Sequence, residues 1–341
     1  MSENNMTSPA QSGGIAAFCK EKIWKGFFVN VLYKKFDHYK GWIYLAPAIV
    51  LLMIFTVWPI FNTIRMAFLE GYTTMKEVRG ETFSFGIGNF TRVLKYKGFL
   101  TALKNTMLLT VLTVPISTFL ALLIAVCLNS IKRFSRALQT IFFLPYVTNS
   151  IAIGMVFAAM FNMIVGGGER PDFIGVVNIV IEAFGGKYIN WMNAGSEYWA
   201  KITVMVVYIV WNALPFKILI LLGGLQSVNK QYYEAAKVDA TPRWRVFTRI
   251  TIPLLSPMLA YVIITGFIGG FKEYSSIVGV FGEGMRAPGD LGYTLDTMVG
   301  YIYRAIGNQE GAASAAALIL FAIILVVTMI NLYVSKKKTH Y

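Results

Sequence analysis

Six nearly uncharged runs, each long enough to cross a lipid bilayer, constrain the folding of this chain more than any other feature. About 20 apolar residues span the hydrocarbon core as a helix, at 1.5 Å per residue. The runs are Trp42–Ile64, a stretch within Asn105–Ile131, a stretch within Ala137–Gly168, Ile202–Leu225, Leu254–Val280 and Gly311–Val334. The fourth carries one charge, Lys217, the fifth carries the adjacent Lys272 and Glu273, and Lys336–Lys338 stop the sixth. Lipid offers the backbone no hydrogen-bond partners, so such runs fold as helices. Pro47, Pro59, Pro115, Pro145 and Pro215 predict kinks within them. Composition agrees: 56% of the 341 residues are hydrophobic and 14% charged, against about 25% charged in soluble domains. The expectation is an all-α membrane protein with six transmembrane helices.

Six spans put both ends of the chain on one side, and charge chooses that side. The segment before Trp42, the Lys132–Arg136 loop, the Gln226–Pro253 loop and the tail together hold 17 Lys and Arg, against nine in the three opposite loops. The positive-inside rule therefore places both termini in the cytoplasm of a multi-pass protein of the cell membrane. One loop dissents, because Leu69–Thr101 puts five basic residues on the outer side. The formal net charge of +14 then marks orientation rather than nucleic-acid binding. Residues 1–41 contain no apolar run of signal-peptide length. Trp24, Phe27, Phe28, Val31 and Leu32 recur there at helical spacing among Lys22, Lys25, Lys34 and Lys35. That pattern suits a basic helix on the membrane surface or, equally, a partly ordered basic tail. Residues 42–334 form the spanning domain and 335–341 a basic tail. Trp42, Tyr44 and Tyr333 stand near span ends as interfacial anchors.

The loop between spans four and five is the most informative stretch. It reads as two short helices meeting at a corner, between Gln231 and Pro253. Tyr233, Ala236 and Ala240 share one face of the first, with Glu234 and Lys237 offset. Ala235 and Ala236 let another surface come close. Thr241-Pro242 reads as an N-cap and first helical residue. A second helix with Trp244, Phe247 and Ile250 leads into span five. An ordinary amphipathic connector is the plain alternative.

This stretch resembles the EAA loop of binding-protein-dependent ABC importer permeases, in which Glu-Ala-Ala is followed by Asp-Gly-Ala and Ile-Thr-Leu-Pro. The matching residues are Glu234, Ala235, Ala236, Asp239, Thr251 and Pro253, led in by Gly224, Leu225 and Gln226. Ala240 departs, standing where the family has Gly; without a glycine the turn is expected to be made through Thr241-Pro242. Asn89-Phe90, Asn105-Thr106, Pro145, Trp211, Tyr301, Tyr303 and Gly311 are similarly placed. The resemblance runs from Tyr44 to Val334 and points to the carbohydrate branch, the maltose and glycerol-phosphate type permeases. It implies a type I importer bundle with a cytoplasmic coupling helix, working by alternating access. Glu234, Ala235, Ala236, Asp239, Ala240 and Pro253 would couple it to a separate ATPase. The implied partners are a second, different permease, two ATPase copies, an extracytoplasmic solute-binding protein and a sugar, an oligosaccharide by preference. ATP and Mg would be used by the ATPase, and none bound by this chain.

The chain carries no phosphate-binding loop, since its one Gly-Lys pair, Gly186-Lys187, continues with Tyr188. Nor is there a metalloprotease motif, because the only histidines are His38 and His340. Cys19 and Cys127 have no metal-like or disulfide-like spacing. The chain is expected to be a transporter subunit rather than an enzyme. An ion-gradient-driven transporter is the rival, although that class shows repeats across its halves, and none is visible here. Polar residues in spans mark substrate paths, because lipid makes them expensive. Asn149, Trp211, Asn212, Lys272, Glu273 and Tyr274 are the candidates. The asparagines could equally bridge helices and Trp211 could be packing. Lys272 and Glu273 should lie about 100° apart on one helix, facing different partners. Lys217 is expected to snorkel toward the cytoplasm.

Overall fold

The computed structural model describes residues 39–42, 44–131, 135–164, 173–287, 290, 292 and 294–338. The basic pattern around Trp24 and Phe28 lies outside the described residues. The chain divides into two units between Thr63 and Ile64.

The first unit carries most of α1 (Tyr44–Phe68). Its ladder widens into a π turn at Met53–Val57, where the Trp58 N–H reaches back to the Met53 carbonyl. Pro59 explains the widening: its ring would crowd the carbonyl four residues earlier, and a five-residue reach relieves that clash. The same device recurs in the second unit. There the Ile252 N–H reaches back to the Phe247 carbonyl, immediately before Pro253.

The second unit continues with α2 (Thr74–Val78), α3 (Gly88–Lys95), α4 (Lys97–Ser130), α5 (Ser135–Val147) and α6 (Ser150–Phe161). A two-residue antiparallel pair follows, β1 (Met163–Ile164) with β2 (Phe173–Ile174), pairing Met163 with Ile174. Then come α7 (Val176–Ala183), α8 (Tyr198–Ser227), α9 (Lys230–Val238), α10 (Arg243–Phe271), α11 (Ser275–Phe281), α12 (Met298–Ala305) and α13 (Glu310–Lys338). Among the described residues, α1, α4, α8, α10 and α13 are each long and apolar enough to cross a membrane. The α5–α6 pair makes a sixth span only as a broken one, bent by 97°.

That bend corrects the simple reading of the third run as one kinked helix. Pro145 weakens the end of α5, and Asn149 starts a new helix. The Asn149 side chain accepts hydrogen bonds from Ile151 N at 2.8 Å and Ala152 N at 3.3 Å, satisfying donors that a helix start leaves open. Small residues then let α6 and α11 meet backbone to backbone. A Cβ on Gly154 would come within 2.7 Å of Gly279.

The core is the seam between α4 and α8. Near its start, Leu109 packs with Val204, Met205 and Tyr208; near its end, Ala121, Ala125 and Leu128 pack with Ile218, Leu221 and Leu225. The two helices are therefore parallel. α10 runs the other way, since Leu255 joins the end cluster while Phe271 packs with Phe99 and Ala102 near the start of α4. The buried stripe of α4 is small and hydroxylated: Ala102, Thr106, Thr110, Thr113, Ser117, Ala121, Ala125. Its hydroxyls bond back to carbonyls one turn earlier, as Thr110 does to Thr106 at 2.7 Å. Close approach with self-satisfied polar groups is how helices associate in lipid.

Candidate functional site

The first candidate region is the corner formed by α9 and the start of α10. Asn229 caps α9, accepting from Gln231 N at 3.0 Å. Ala236 is buried, whereas Glu234, Ala235 and Asp239 are exposed. Tyr233 lies within hydrogen-bond reach of Thr251, hydroxyl to hydroxyl at 3.4 Å, tying α9 to the π turn of α10. Pro253 sits just beyond that turn and is half-buried. The exposed rim is apolar as well as charged, with Val238 at 86% exposure and Trp244 at 73%.

The corner itself is made differently from the sequence expectation. Ala240 takes the left-handed conformation, φ +49°. Thr241 N bonds to Ala236 O at 2.9 Å and Ala240 N to Lys237 O at 3.1 Å, the pair of bonds that closes a Schellman end. Thr241 is not the cap of the next helix, which begins at Arg243 after Pro242. The satisfied carbonyls outweigh the roughly 1–2 kcal/mol that a left-handed residue with a Cβ costs. Ala240→Gly is accordingly expected to raise thermal stability by about 1 kcal/mol; a lower melting temperature would show that Ala240 is unstrained.

The second region is a cavity of about 290 Å³ between α4, α8 and α10, with Tyr146 at its edge. Thr113, Ser117, Asn212, Lys217, Thr265 and Glu273 supply its polar lining. Of the six path candidates, Asn212 and Glu273 line this cavity. Asn212 also points its Nδ2 at Ser150 Oγ, 3.5 Å away. Asn149 is spent as the helix cap. Trp211 packs on Phe157 with centroids 5.2 Å apart. Tyr274 stacks on Tyr303 at 4.6 Å. Lys272 is exposed at the C-cap of α10. α10 stops at Phe271, so Lys272 and Glu273 share a turn rather than a helix; the Glu273 carboxylate accepts from Ser276 N at 3.1 Å and starts α11.

Lys217 also corrects the sequence expectation. It does not snorkel: it is 5% exposed. Its ammonium donates to Ser117 Oγ at 2.7 Å, Thr118 Oγ1 at 2.9 Å and Val114 O at 3.3 Å. All three donors are used, on the turn of α4 around Pro115. Prolines two residues before Lys217 and two before Ser117 are the sequence signal that pairs these positions. Desolvating an ammonium with only neutral acceptors is costly. Lys217→Met, of similar length, is therefore expected to leave stability unchanged or raise it by about 1 kcal/mol, read by thermal melting in detergent. A fall of several degrees would show that the three hydrogen bonds outweigh desolvation.

At the opposite end of the bundle from α9, two asparagines from the sequence motifs act as hubs. Asn89 donates to Ala67 O at 3.1 Å and Leu69 O at 2.7 Å. Asn105 donates to Thr294 O at 3.0 Å and Asp296 O at 2.9 Å while accepting from Tyr198 at 2.7 Å. The loop before α12 is thereby tied to α4 and α8. Lys201–Asp290 at 2.5 Å and the paired contact of Arg304 with buried Asp296 strengthen that tie.

Comparison with known proteins matches residues 115–340 to the binding-protein-dependent transport system inner membrane component family. The lactose transport system permease protein LacF of Rhizobium radiobacter is 32% identical over 87% of this chain and 93% of its own length. The arabinooligosaccharides transport system permease protein AraP of Bacillus subtilis is 30% identical over 94% of both. Among solved structures, a chain of a bacterial alginate ABC transporter in complex with an alginate pentasaccharide-bound periplasmic protein superposes with a TM-score of 0.73. It is 22% identical, and the match covers 91% of this chain and 99% of that one.

Proposed function

The chain belongs to the family of binding-protein-dependent transport system inner membrane components, and from that premise we propose that it is the membrane-spanning permease of an ATP-driven importer for an oligosaccharide. The relatives' substrates, lactose and arabinooligosaccharides, support a sugar of two or more units. The observation that carries the coupling role is α9. It offers Glu234 and Ala235 outward, while its end is closed at Ala240 and its packed face reaches α10 through Tyr233 and Thr251. A load placed on α9 by a partner would therefore move a membrane helix as a body rather than be absorbed locally.

The excess of Lys and Arg on the α9 side supports a cytoplasmic position for α9 and both termini. An ATPase dimer would dock there, using ATP and Mg, and a second permease would complete the path. The sugar would arrive on an extracytoplasmic solute-binding protein and pass the cavity lined by Asn212 and Glu273. Thr113 and Thr265 supply hydroxyl partners there, as sugar recognition requires.

Reconstitution of the complete transporter in proteoliposomes tests this reading. ATP inside the cytoplasmic compartment, with the sugar-loaded binding protein outside, is expected to drive uptake of labelled arabino-oligosaccharide or lactose. Uptake without ATP, driven by a proton or sodium gradient, would instead establish a secondary transporter.

A further inference from the structure

A cavity of about 670 Å³ lies away from both regions above. It is a cleft between α3 and α12, lined by Arg92, Lys95, Tyr96, Tyr301, Arg304 and Asn308. Its chemistry is cationic and amphipathic. Arg92 and Lys95 are exposed, and neither pairs with a carboxylate among the described residues. Arg304 forms a fixed wall, because buried Asp296 grips its guanidinium, Nη1 to Oδ1 at 2.7 Å. The Tyr96 and Tyr301 rings lie 5.9 Å apart and make the floor. The position of Arg92 and Lys95 is held by the other face of α3, where Asn89 and Val93 are buried.

These bases belong to the loop that dissents from the charge rule. Lys and Arg beside a span disfavour its export, so exporting five in this loop carries a cost that a surface role would offset. Height decides what they can meet. Lys104 is the last charge before the apolar run of α4, and Tyr96 stands nine residues above Asn105, about 13 Å along the helix. Headgroups extend only about 5–7 Å beyond the hydrocarbon. With the hydrocarbon edge at Asn105, the cleft would stand clear of lipid phosphates, on the side from which the importer reading has the sugar delivered.

We propose that this cleft is a docking point for the extracytoplasmic solute-binding protein, receiving a cluster of its Asp or Glu carboxylates between Arg92, Lys95 and the Arg304 wall. The assignment rests on the importer reading above. Two flexible cations beside a rigid guanidinium suit carboxylates on a protein surface, where opposite charges steer encounter and fix register. The tyrosines supply the apolar contact that Lys and Arg alone lack.

The test uses the assembled transporter in nanodiscs and its cognate sugar-loaded binding protein, in the unsubstituted form and with Arg92→Glu/Lys95→Glu. Co-purification of the ATPase checks that the variant is folded, and Arg92→Gln/Lys95→Gln provides a milder pair. The reversal is expected to raise the dissociation constant of the binding protein about 10–100-fold in 50 mM salt, with the glutamine pair between. The unsubstituted affinity should weaken as salt rises to 300 mM, while the glutamine pair changes least and the reversed variant, relieved of repulsion, binds more tightly. Free galacturonate at millimolar concentration should not compete. A change within twofold in the reversed variant overturns the assignment of the cleft, as does competition by galacturonate, which would make it a sugar-acid site. If the unsubstituted transporter shows no hydrolysis stimulated by the binding protein, the importer reading falls and takes the docking assignment with it.

Discussion

Glu234→Lys is expected to reduce ATP-dependent uptake to background while leaving the protein in the membrane at its normal level. Glu234 is exposed and makes no contact that the fold needs, so its loss should not unfold the chain. The reversal puts a cation where a partner's basic group would sit, and it adds to Lys230, Lys237, Arg243 and Arg245 on the same corner. Like charges across an interface cost several kcal/mol, enough to empty a complex of ordinary affinity. The check has two readouts, sugar uptake and retention of the ATPase on the affinity-purified permease. Full uptake in this variant would remove Glu234 from the coupling role. Glu234→Gln, which removes charge without reversing it, is expected to lie between.

Asp290→Ala should be the most damaging single change outside the coupling corner. Lys201 and Asp290 form a pair whose side chains are 6% and 13% exposed, Nζ to Oδ2 at 2.5 Å. Thr294 also donates to that Asp290 oxygen, at 3.1 Å. Removing the carboxylate leaves a buried ammonium without its counter-charge, which costs about 3–5 kcal/mol. At the 2–4 °C per kcal/mol usual for chains near this size, the melting temperature should fall by roughly 10 °C. Amide exchange at Thr294 and Asp296 should quicken with it. Lys201→Met/Asp290→Leu is expected to recover most of the loss, because apolar replacement of a buried pair is close to neutral. A single variant that melts within 1 °C of the parent would show the pair to be solvated.

Much of the fold is legible residue by residue. The apolar runs announce α1, α4, α8, α10 and α13, because hydrocarbon thickness fixes how long such a run must be. The Glu234-Ala-Ala motif and Pro253 announce α9 and its corner, since each residue type answers a local need. The misreadings share a physical origin. Ala240 looked unsuited to a left-handed turn, yet the two Schellman bonds outweigh the local strain. Lys217 looked destined for the cytoplasmic surface, since a lone charge in a span has that default; the acceptors that hold it are a hundred residues away on α4. Lys272 and Glu273 looked helical because nothing in their neighbourhood announces a stop. Only the Ser276 amide, captured by Glu273, explains the break.

The sequence by itself therefore determined that this chain spans a membrane, which of its loops hold the excess of Lys and Arg, and which motif lies at the corner of α9. Those are properties of composition and short-range pattern, set by solvent and local geometry. Tertiary structure alone decided that α6, started by its own Asn149 cap, meets α11 backbone to backbone at Gly154 and Gly279. It also decided which polar residues of the spans face a common cavity, and that Arg92 and Lys95 meet Arg304 across a cleft. Each of these depends on which groups distant in the chain end up adjacent. A helix presents side chains all round its axis, and only its neighbours determine which of them become a wall, a cap or a site.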